Sequence, residues 1–218
     1  MQRPVSAPIR RLGIAAGLTT AGLQVVYAIV LTGGLMALPA PDQPIHDPWF
    51  TAMELLILLI APAMLALMAA VHAATATAWR AHSLAALVFM ALMTGLTMAV
   101  HFSILTLSRQ PGFADMAQVW SFSWPSVVYA LDILAWDVFF ALSVLFAARV
   151  VRGTGLARTT RMLLIVSGLL ALAGLAGVVT GDMRLRNIGI IGYAGVFPVA
   201  AALIAVLFQR GALPARAA

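Results

Sequence analysis

Long apolar stretches alternate with short polar or charged segments along the whole chain. Six of the stretches approach the ~20 residues that an α-helix needs to cross the hydrocarbon core of a bilayer. They cover residues 12–38, 51–73, 83–107, 125–148, 162–180 and 188–209, and turn-forming or charged segments such as 39–44 and 152–155 separate them. The pattern predicts an all-α fold, a polytopic transmembrane helix bundle of six spans that forms a single membrane domain over residues 1–218.

The composition agrees with this interpretation. The chain is 63% hydrophobic and 9% charged, and its mean hydropathy is +1.02. A water-soluble domain of 218 residues needs far more polar surface than this. The lipid bilayer is therefore the predicted partner of the six apolar stretches.

The first apolar stretch follows Arg10 and Arg11 and resembles a secretory signal in that respect. It is longer than the apolar region of a signal peptide, and no Ala-x-Ala cleavage site precedes Pro41. We expect a retained membrane helix.

The arginines predict the orientation, because cytoplasmic loops of membrane proteins are enriched in basic residues. With the N-terminus inside, three arginines face outward, Arg109, Arg184 and Arg186, and none of the acids falls in a cytoplasmic loop. The other ten are cytoplasmic: Arg3, Arg10, Arg11, Arg80, Arg149, Arg152, Arg158, Arg161, Arg210 and Arg216. The sequence thus predicts an N-in/C-in multi-pass protein of a plasma or inner membrane, with Asp42, Asp47, Asp115 and Asp182 outside.

The net charge of +6 and the pI near 11.3 would suggest nucleic acid as a partner of a soluble protein. Here the arginines lie in short loops beside apolar spans, so they are interpreted as topology signals and nucleic-acid binding is excluded.

Missing residue types exclude several cofactors. All 13 basic residues are Arg, so the lysine of a retinal Schiff base is absent, and without Cys there are no disulfides, thiolate nucleophiles or iron–sulfur ligands. His72 and His101 lie near opposite faces of the membrane, which excludes a bis-histidine haem. Zinc on Glu54, His101 and Asp132 is chemically feasible, but no HExxH or HxxxH spacing supports it. We predict neither a metal nor a cofactor.

Ionisable side chains inside a bilayer are costly and therefore mark candidate sites. Glu54 lies at the outer mouth of the second span, whereas His101 and Asp132 lie about 9 Å inside the outer ends of the third and fourth. Asp182 lies in the last outer loop, beside Arg184. If these helices are neighbours, Glu54, His101, Asp132 and Asp182 form a polar pocket that opens to the extracytoplasmic side. The alternatives are headgroup-layer pairing of Glu54 and Asp182 with Arg184 or Arg186, and a structural hydrogen bond for His101.

Asp137 lies deeper, near the midplane. On an α-helix it points about 140° away from Asp132, so the two acids are not expected to form a paired-carboxylate site and Asp137 needs a partner of its own. Gln24 and Tyr27 are the predicted partners of Asp137 at this depth. Asp137 is either a proton or ion relay or a buried carboxyl that locks two helices together.

Small residues and prolines complete the pattern. Gly13 and Gly17 form a GxxxG motif, which is more typical here of packing within the chain than of a dimer face. Pro62 and Pro198 lie inside spans, where a missing N–H frees backbone carbonyls.

No motif defines a reaction. The sequence favours a small-molecule or ion binding or transport protein with an outward-facing polar pocket. The alternatives are a membrane-embedded enzyme that acts on a lipid or isoprenoid and a non-catalytic assembly or sensor module. A small molecule, an ion, a lipid and a second copy of the chain remain open as partners.

Overall fold

The fold was analysed in a computed structural model that describes residues 5–40, 43–113 and 115–213, in which all regular structure is helical. Arg3, Asp42 and Arg216, whose positions were predicted above, lie outside the described residues. Six helices are long and apolar enough to span a membrane: α1 (Ala7–Met36), α2 (Trp49–Ala74), α3 (Thr77–Thr106), α4 (Val127–Val150), α5 (Leu156–Thr180) and α6 (Met183–Gln209). The all-helical class and the six apolar helices are confirmed, and these helices give the chain the character of a multi-pass membrane protein.

Five of the six helices begin earlier than their predicted runs, and the last two show why. α5 starts at Leu156, after a loop that follows the end of α4 at Val150 and in which Gly153 and Gly155 adopt φ angles of 126° and 55°. α6 starts with a 3₁₀ turn, Met183–Arg186. Hydropathy predicts the apolar part of a helix, whereas the residues at which the helix begins and ends depend on backbone geometry. Arg186, which was predicted in the outer loop, therefore belongs to the first turn of α6.

Consecutive helices pack against one another, and α1 also packs against α6, so the six helices form a closed ring. The interior is filled by Met, Phe, Leu and Ala side chains such as Met64, Met90, Phe140, Leu164 and Phe197, all completely buried. The GxxxG glycines lie inside this ring. A Cβ on Gly13 would meet the Phe208 ring and one on Gly17 would meet the Ala201 carbonyl, so the motif serves packing within the chain.

Two π-helical segments face each other halfway along the bundle. They are Leu134–Phe140 in α4 and Ile191–Val196 in α6. Aromatic contacts join them: the ring centroid of Tyr193 lies 5.0 Å from that of Trp136 and 6.1 Å from that of Phe140. π-Helical turns widen a helix and are frequent at functional sites. These two lie next to the cluster of buried charges described below.

Candidate functional site

Five buried ionisable side chains form one continuous chain of contacts across the interior. Glu54 Oε2 lies 2.7 Å from Nδ1 of His101, and His101 Nε2 lies 3.3 Å from Oδ1 of Asp132. Arg186 Nη2 donates to Asp132 Oδ2 at 2.6 Å, and its Nε donates to Asp137 Oδ2 at 3.2 Å. Each of the five residues is at most 5% exposed. α2, α3, α4 and α6 are thus joined by charge-assisted contacts.

Four of the five residues lie at one end of the bundle. Glu54, His101 and Asp132 are each five residues, about 8 Å, from the nearer end of their helices. Arg186 lies in the first turn of α6. The antiparallel helices α2, α3, α4 and α6 present these ends in one layer, and this common depth allows the side chains to meet.

The π turn of α4 explains why Arg186 reaches both aspartates. Asp137 lies inside the segment Leu134–Phe140 and Asp132 lies just before it. A π turn accommodates an extra residue, which reduces the angle between side chains five positions apart. The two acids do not pair with each other but are joined through one guanidinium, and the predicted partners of Asp137 were wrong. The partner of Asp137 is Arg186 rather than Gln24 or Tyr27.

Arg186 is held on three sides. Besides its two carboxylates, the guanidinium carbon lies 4.5 Å from the ring centroid of Tyr129, a cation–π contact. Arg186 is 4% exposed, so it lies in the interior and not in the headgroup layer.

The alternative that Glu54 pairs with an arginine is wrong as well, because its side-chain partner is His101.

The two contacts of His101 define a proton count. Ionised carboxylates only accept hydrogen bonds, and a neutral imidazole carries one N–H. Bridges from both ring nitrogens to Glu54 and Asp132 therefore require one proton more than a neutral ring and two carboxylates contain. That proton resides either on the imidazole or on one of the two acids.

Asp137 occupies a space that two glycines leave open. A Cβ on Gly189 would lie 2.5 Å from Asp137 Oδ1, and one on Gly174 would lie 3.1 Å from it. Asp137 is completely buried, and Oδ1 has no hydrogen-bond partner among the described residues. With every acid ionised and His101 protonated, three carboxylates face two cations, so the cluster has one negative charge in excess.

A cavity of about 250 Å³ adjoins this cluster. Glu54, His101, Asp132 and Arg186 form its polar wall, and Asp137 lies behind Arg186. The rest of the lining is mainly apolar or aromatic: Leu31, Phe50, Met53, Ile57, Ile60, Phe122, Trp136, Ile190 and Ala194, together with Gln24, Tyr27, Tyr129 and Tyr193. A mostly apolar cavity with a few convergent polar groups is typical of a small-molecule site.

Gln24 joins α1 to α6 at the wall of this cavity. Its Nε2 donates to the backbone carbonyl of Tyr193 at 2.8 Å. Pro198, five residues further along α6, has no N–H with which to close a π-helical bond to that carbonyl. The side chain of Gln24 replaces the missing donor, as the position of Pro198 inside a span predicts.

Asp182 does not join the other predicted residues. It is exposed, and its carboxylate accepts a hydrogen bond from the backbone N–H of Arg184 at 3.1 Å. Gln24 and Tyr27 line the cavity, and the hydrogen bond of Asp137 is to Arg186 instead. Arg186 and Tyr193 were missed. One signal could have identified Arg186: a buried Asp137 needs a cationic partner. That need is a stronger argument than the rule that places arginines in loops.

The cluster does not have the form of a metal site. The described residues include no group of three His, Cys, Asp or Glu side chains that could hold a metal ion. His101 uses both ring nitrogens for carboxylates, so Glu54 and Asp132 bind the ring from opposite sides.

Comparisons of the chain with protein-family models, with curated proteins and with solved structures found no match.

Proposed function

We propose that this protein binds and transports a small molecule with a cationic head and an apolar body, in exchange for or together with protons, through a cavity that opens to the extracytoplasmic side. The observation that carries the proposal is the cavity of about 250 Å³ with Glu54, His101, Asp132 and Arg186 along one wall. A purely structural ion network would be packed on all sides.

The charge of the cluster favours a cation. An uncompensated negative charge in a low-dielectric interior attracts a proton or a cationic ligand. One carboxylate oxygen is available for this contact, because Glu54 uses only Oε2 for His101 and lines the cavity. The surrounding aromatic rings also suit an organic cation.

The proton held between Glu54, His101 and Asp132 gives a means of coupling. A cation that binds to Glu54 competes with this proton for the same negative charge. Asp137 contributes through Arg186, since neutralising either partner redistributes charge along the whole chain of contacts. We assign Asp137 the role of coupling carboxylate.

The arginine distribution supports an extracytoplasmic opening and both termini on the cytoplasmic side. Arg186 is paired in the interior, so Arg109 and Arg184 are the exposed arginines at the end of the bundle that holds the site. The opposite end has Arg80, Arg149, Arg152, Arg158 and Arg161. This asymmetry follows the positive-inside rule.

The absence of natural cysteine makes the opening testable by thiol labelling. Met53 lines the cavity, whereas Met64 on the same helix is completely buried in the core. With a membrane-impermeant maleimide outside sealed vesicles, we expect Met53→Cys to react and the matched Met64→Cys to stay unlabelled. Equal protection of both cysteines would contradict an outward opening.

Binding and coupling are tested with small primary amines of increasing apolar size. We expect some of them to raise the thermal melting temperature of the native protein in detergent but not that of Glu54→Gln. In proteoliposomes containing a pH-sensitive dye, the same amines should drive proton movement that Asp137→Asn abolishes. If no amine stabilises the native protein, the proposal is wrong. Unaltered proton movement in Asp137→Asn would remove that residue from the mechanism.

A membrane-embedded enzyme that acts on a lipid or isoprenoid is the second candidate. It is favoured by the largely apolar lining beside Asp132, because a carboxyl group kept neutral in such surroundings can act as a general acid. Chemical turnover of an isoprenoid alcohol, detected by mass spectrometry and lost in Asp132→Asn, would favour this function over transport.

A further inference from the structure

We infer that the cavity has a second entrance, from the lipid, between α1 and α6, and that this entrance holds the apolar chain of an amphiphile whose small cationic head contacts Glu54. The inference rests on the proposed function, because it makes the cationic ligand a molecule dissolved in the bilayer. It concerns a groove outside the cavity that the binding site itself does not require.

The groove lies on the outer surface of the bundle and has a volume of about 600 Å³. Small side chains keep it open, since Ala28 of α1 and Ala194 and Gly195 of α6 line it. It extends from Gln24 to Met36 on α1, which is about 18 Å along the helix. Its length therefore fits an extended hydrocarbon chain, and apart from Gln24 and Thr32 its lining residues are apolar.

The groove and the cavity meet at two residues. Gln24 and Ala194 line both, so the groove and the cavity adjoin at these side chains. Ala194 is small, and Gln24 is held in place by one hydrogen bond to the Tyr193 carbonyl. A modest movement of Gln24 would connect the two spaces.

The side-chain oxygen of Gln24 is free to accept a hydrogen bond from a ligand. The residue is 4% exposed, and its Oε1 has no hydrogen-bond partner among the described residues. A buried amide oxygen without a partner is unfavourable in an apolar environment. An ammonium head that passes from the groove to Glu54 would find its first acceptor in this oxygen.

A second copy of the chain fits the groove less well. Dimer faces in lipid need small residues that permit close helix approach, and the GxxxG motif of α1 is already used against α6. The groove adjoins a charged cavity at Gln24 and Ala194, and a partner helix seated in the groove would close this route from the lipid.

The lipid entrance is tested by filling the groove. A Cβ on Gly195 would have Ile191 Cγ2 at 3.9 Å as its nearest neighbour, so the backbone accepts a side chain there and Gly195→Leu adds one to the groove lining. Gly95 on α3 is the matched control, because a Cβ there meets nothing within 4 Å and the residue lies at a similar depth on an exposed face outside the groove. Equal melting temperatures of Gly195→Leu and Gly95→Leu establish that both fold.

Trp136 reports on entry, because it lines the cavity and is only 6% exposed. The probe is a bromine-bearing long-chain amine dissolved in phosphatidylcholine vesicles, and the readout is the quenching that disappears in Trp136→Phe. We expect this quenching in the native protein and in Gly95→Leu, and its loss in Gly195→Leu. Equal quenching in the two leucine variants, or none in the native protein, would overturn the inference.

Acrylamide, a water-soluble quencher, separates this result from the proposed function. Quenching of Trp136 by acrylamide outside the vesicles, without quenching by the brominated amine, leaves the outward-facing site and removes the lipid entrance. Quenching by the brominated amine alone leaves the lipid entrance and removes the aqueous opening.

Discussion

Gly189 gives Asp137 the space in which its carboxylate meets Arg186. A Cβ at position 189 would lie 2.5 Å from Asp137 Oδ1, which is closer than any stable contact between a carbon and an oxygen atom. The glycine on α6 and the aspartate on α4 are thus a matched pair. The reason for a glycine at position 189 lies on α4 and not within α6 itself.

Gly189→Ala should therefore destabilise the protein although alanine favours helices. Overpacking a buried position costs about 1–3 kcal/mol, and here the displaced group is a charged one. Gly95→Ala is the control, since its Cβ has no neighbour and the substitution should be neutral or stabilising. Thermal unfolding in detergent measures both. Equal melting temperatures would show that Asp137 moves aside without cost.

Arg186→Gln should be among the most damaging single changes in the chain. It leaves Asp137 without its cation and Asp132 with His101 alone, and breaking a buried ion pair costs about 3–5 kcal/mol. Arg184→Gln, two residues earlier and exposed, should have little effect. Adding Asp137→Asn to Arg186→Gln should restore part of the loss, because it removes the charge that is left without a cation. A double variant less stable than Arg186→Gln would contradict the pairing of Arg186 with Asp137.

Arg186→Lys tests whether the shape of the guanidinium matters. Arg186 holds Asp132 through Nη2 and Asp137 through Nε, a fork that a single ammonium group does not reproduce. We expect a melting temperature between those of the native protein and Arg186→Gln. Native-like stability of Arg186→Lys would show that charge alone is sufficient.

Asp47 should contribute stability that depends on pH. It precedes α2 and accepts hydrogen bonds from the side chain of Thr51 and, at 3.0 Å, from its backbone N–H, and Arg109 Nη2 lies 3.4 Å away. The Thr51 side-chain hydrogen bond, with the backbone contact and Arg109, lowers the pKa of Asp47 below its usual 3.8. Its contribution is therefore complete above pH 3.8 and is lost as the pH falls through the lower, folded-state pKa.

The measurement compares native protein with Asp47→Asn in unfolding experiments at several pH values. The difference in stability should be present at neutral pH and should disappear in strong acid. A difference that persists unchanged to the lowest pH would assign the effect to something other than the carboxylate charge.

Orientation is tested at two exposed loop positions. Gln110 follows α3 at the end that holds the site, and Thr154 lies between α4 and α5 at the other end. Impermeant maleimide added to intact cells should label Gln110→Cys and spare Thr154→Cys until the membrane is permeabilised. The reverse pattern would invert the proposed topology and place the cavity opening in the cytoplasm.

Hydropathy predicted the six helices because lipid tolerates few charges, so the apolar runs have little choice of structure. Depth along each run also predicted that Glu54, His101 and Asp132 could meet. That step needed only the rise of 1.5 Å per residue and an antiparallel arrangement of neighbouring helices.

The joining of Asp132 and Asp137 by Arg186 depends on the local winding of the helices, which the residue types alone do not predict. The π turn that aligns Asp132 with Asp137 has no composition of its own, so ideal α-helical geometry separated the two acids. Arg186 was assigned to a loop because it lies before the apolar run of α6, and only tertiary structure shows that it turns inward. Asp182, with a similar position in the sequence, turns outward and binds its own backbone.

The geometry of the ion cluster depends on the extra residue of the π turn in α4. If that turn relaxed to ordinary α-helix, Asp132 and Asp137 would separate around the helix axis and one guanidinium could no longer hold both. The winding of α4 and the contact of Asp137 with Arg186 are consequently coupled, so a change in one requires a change in the other.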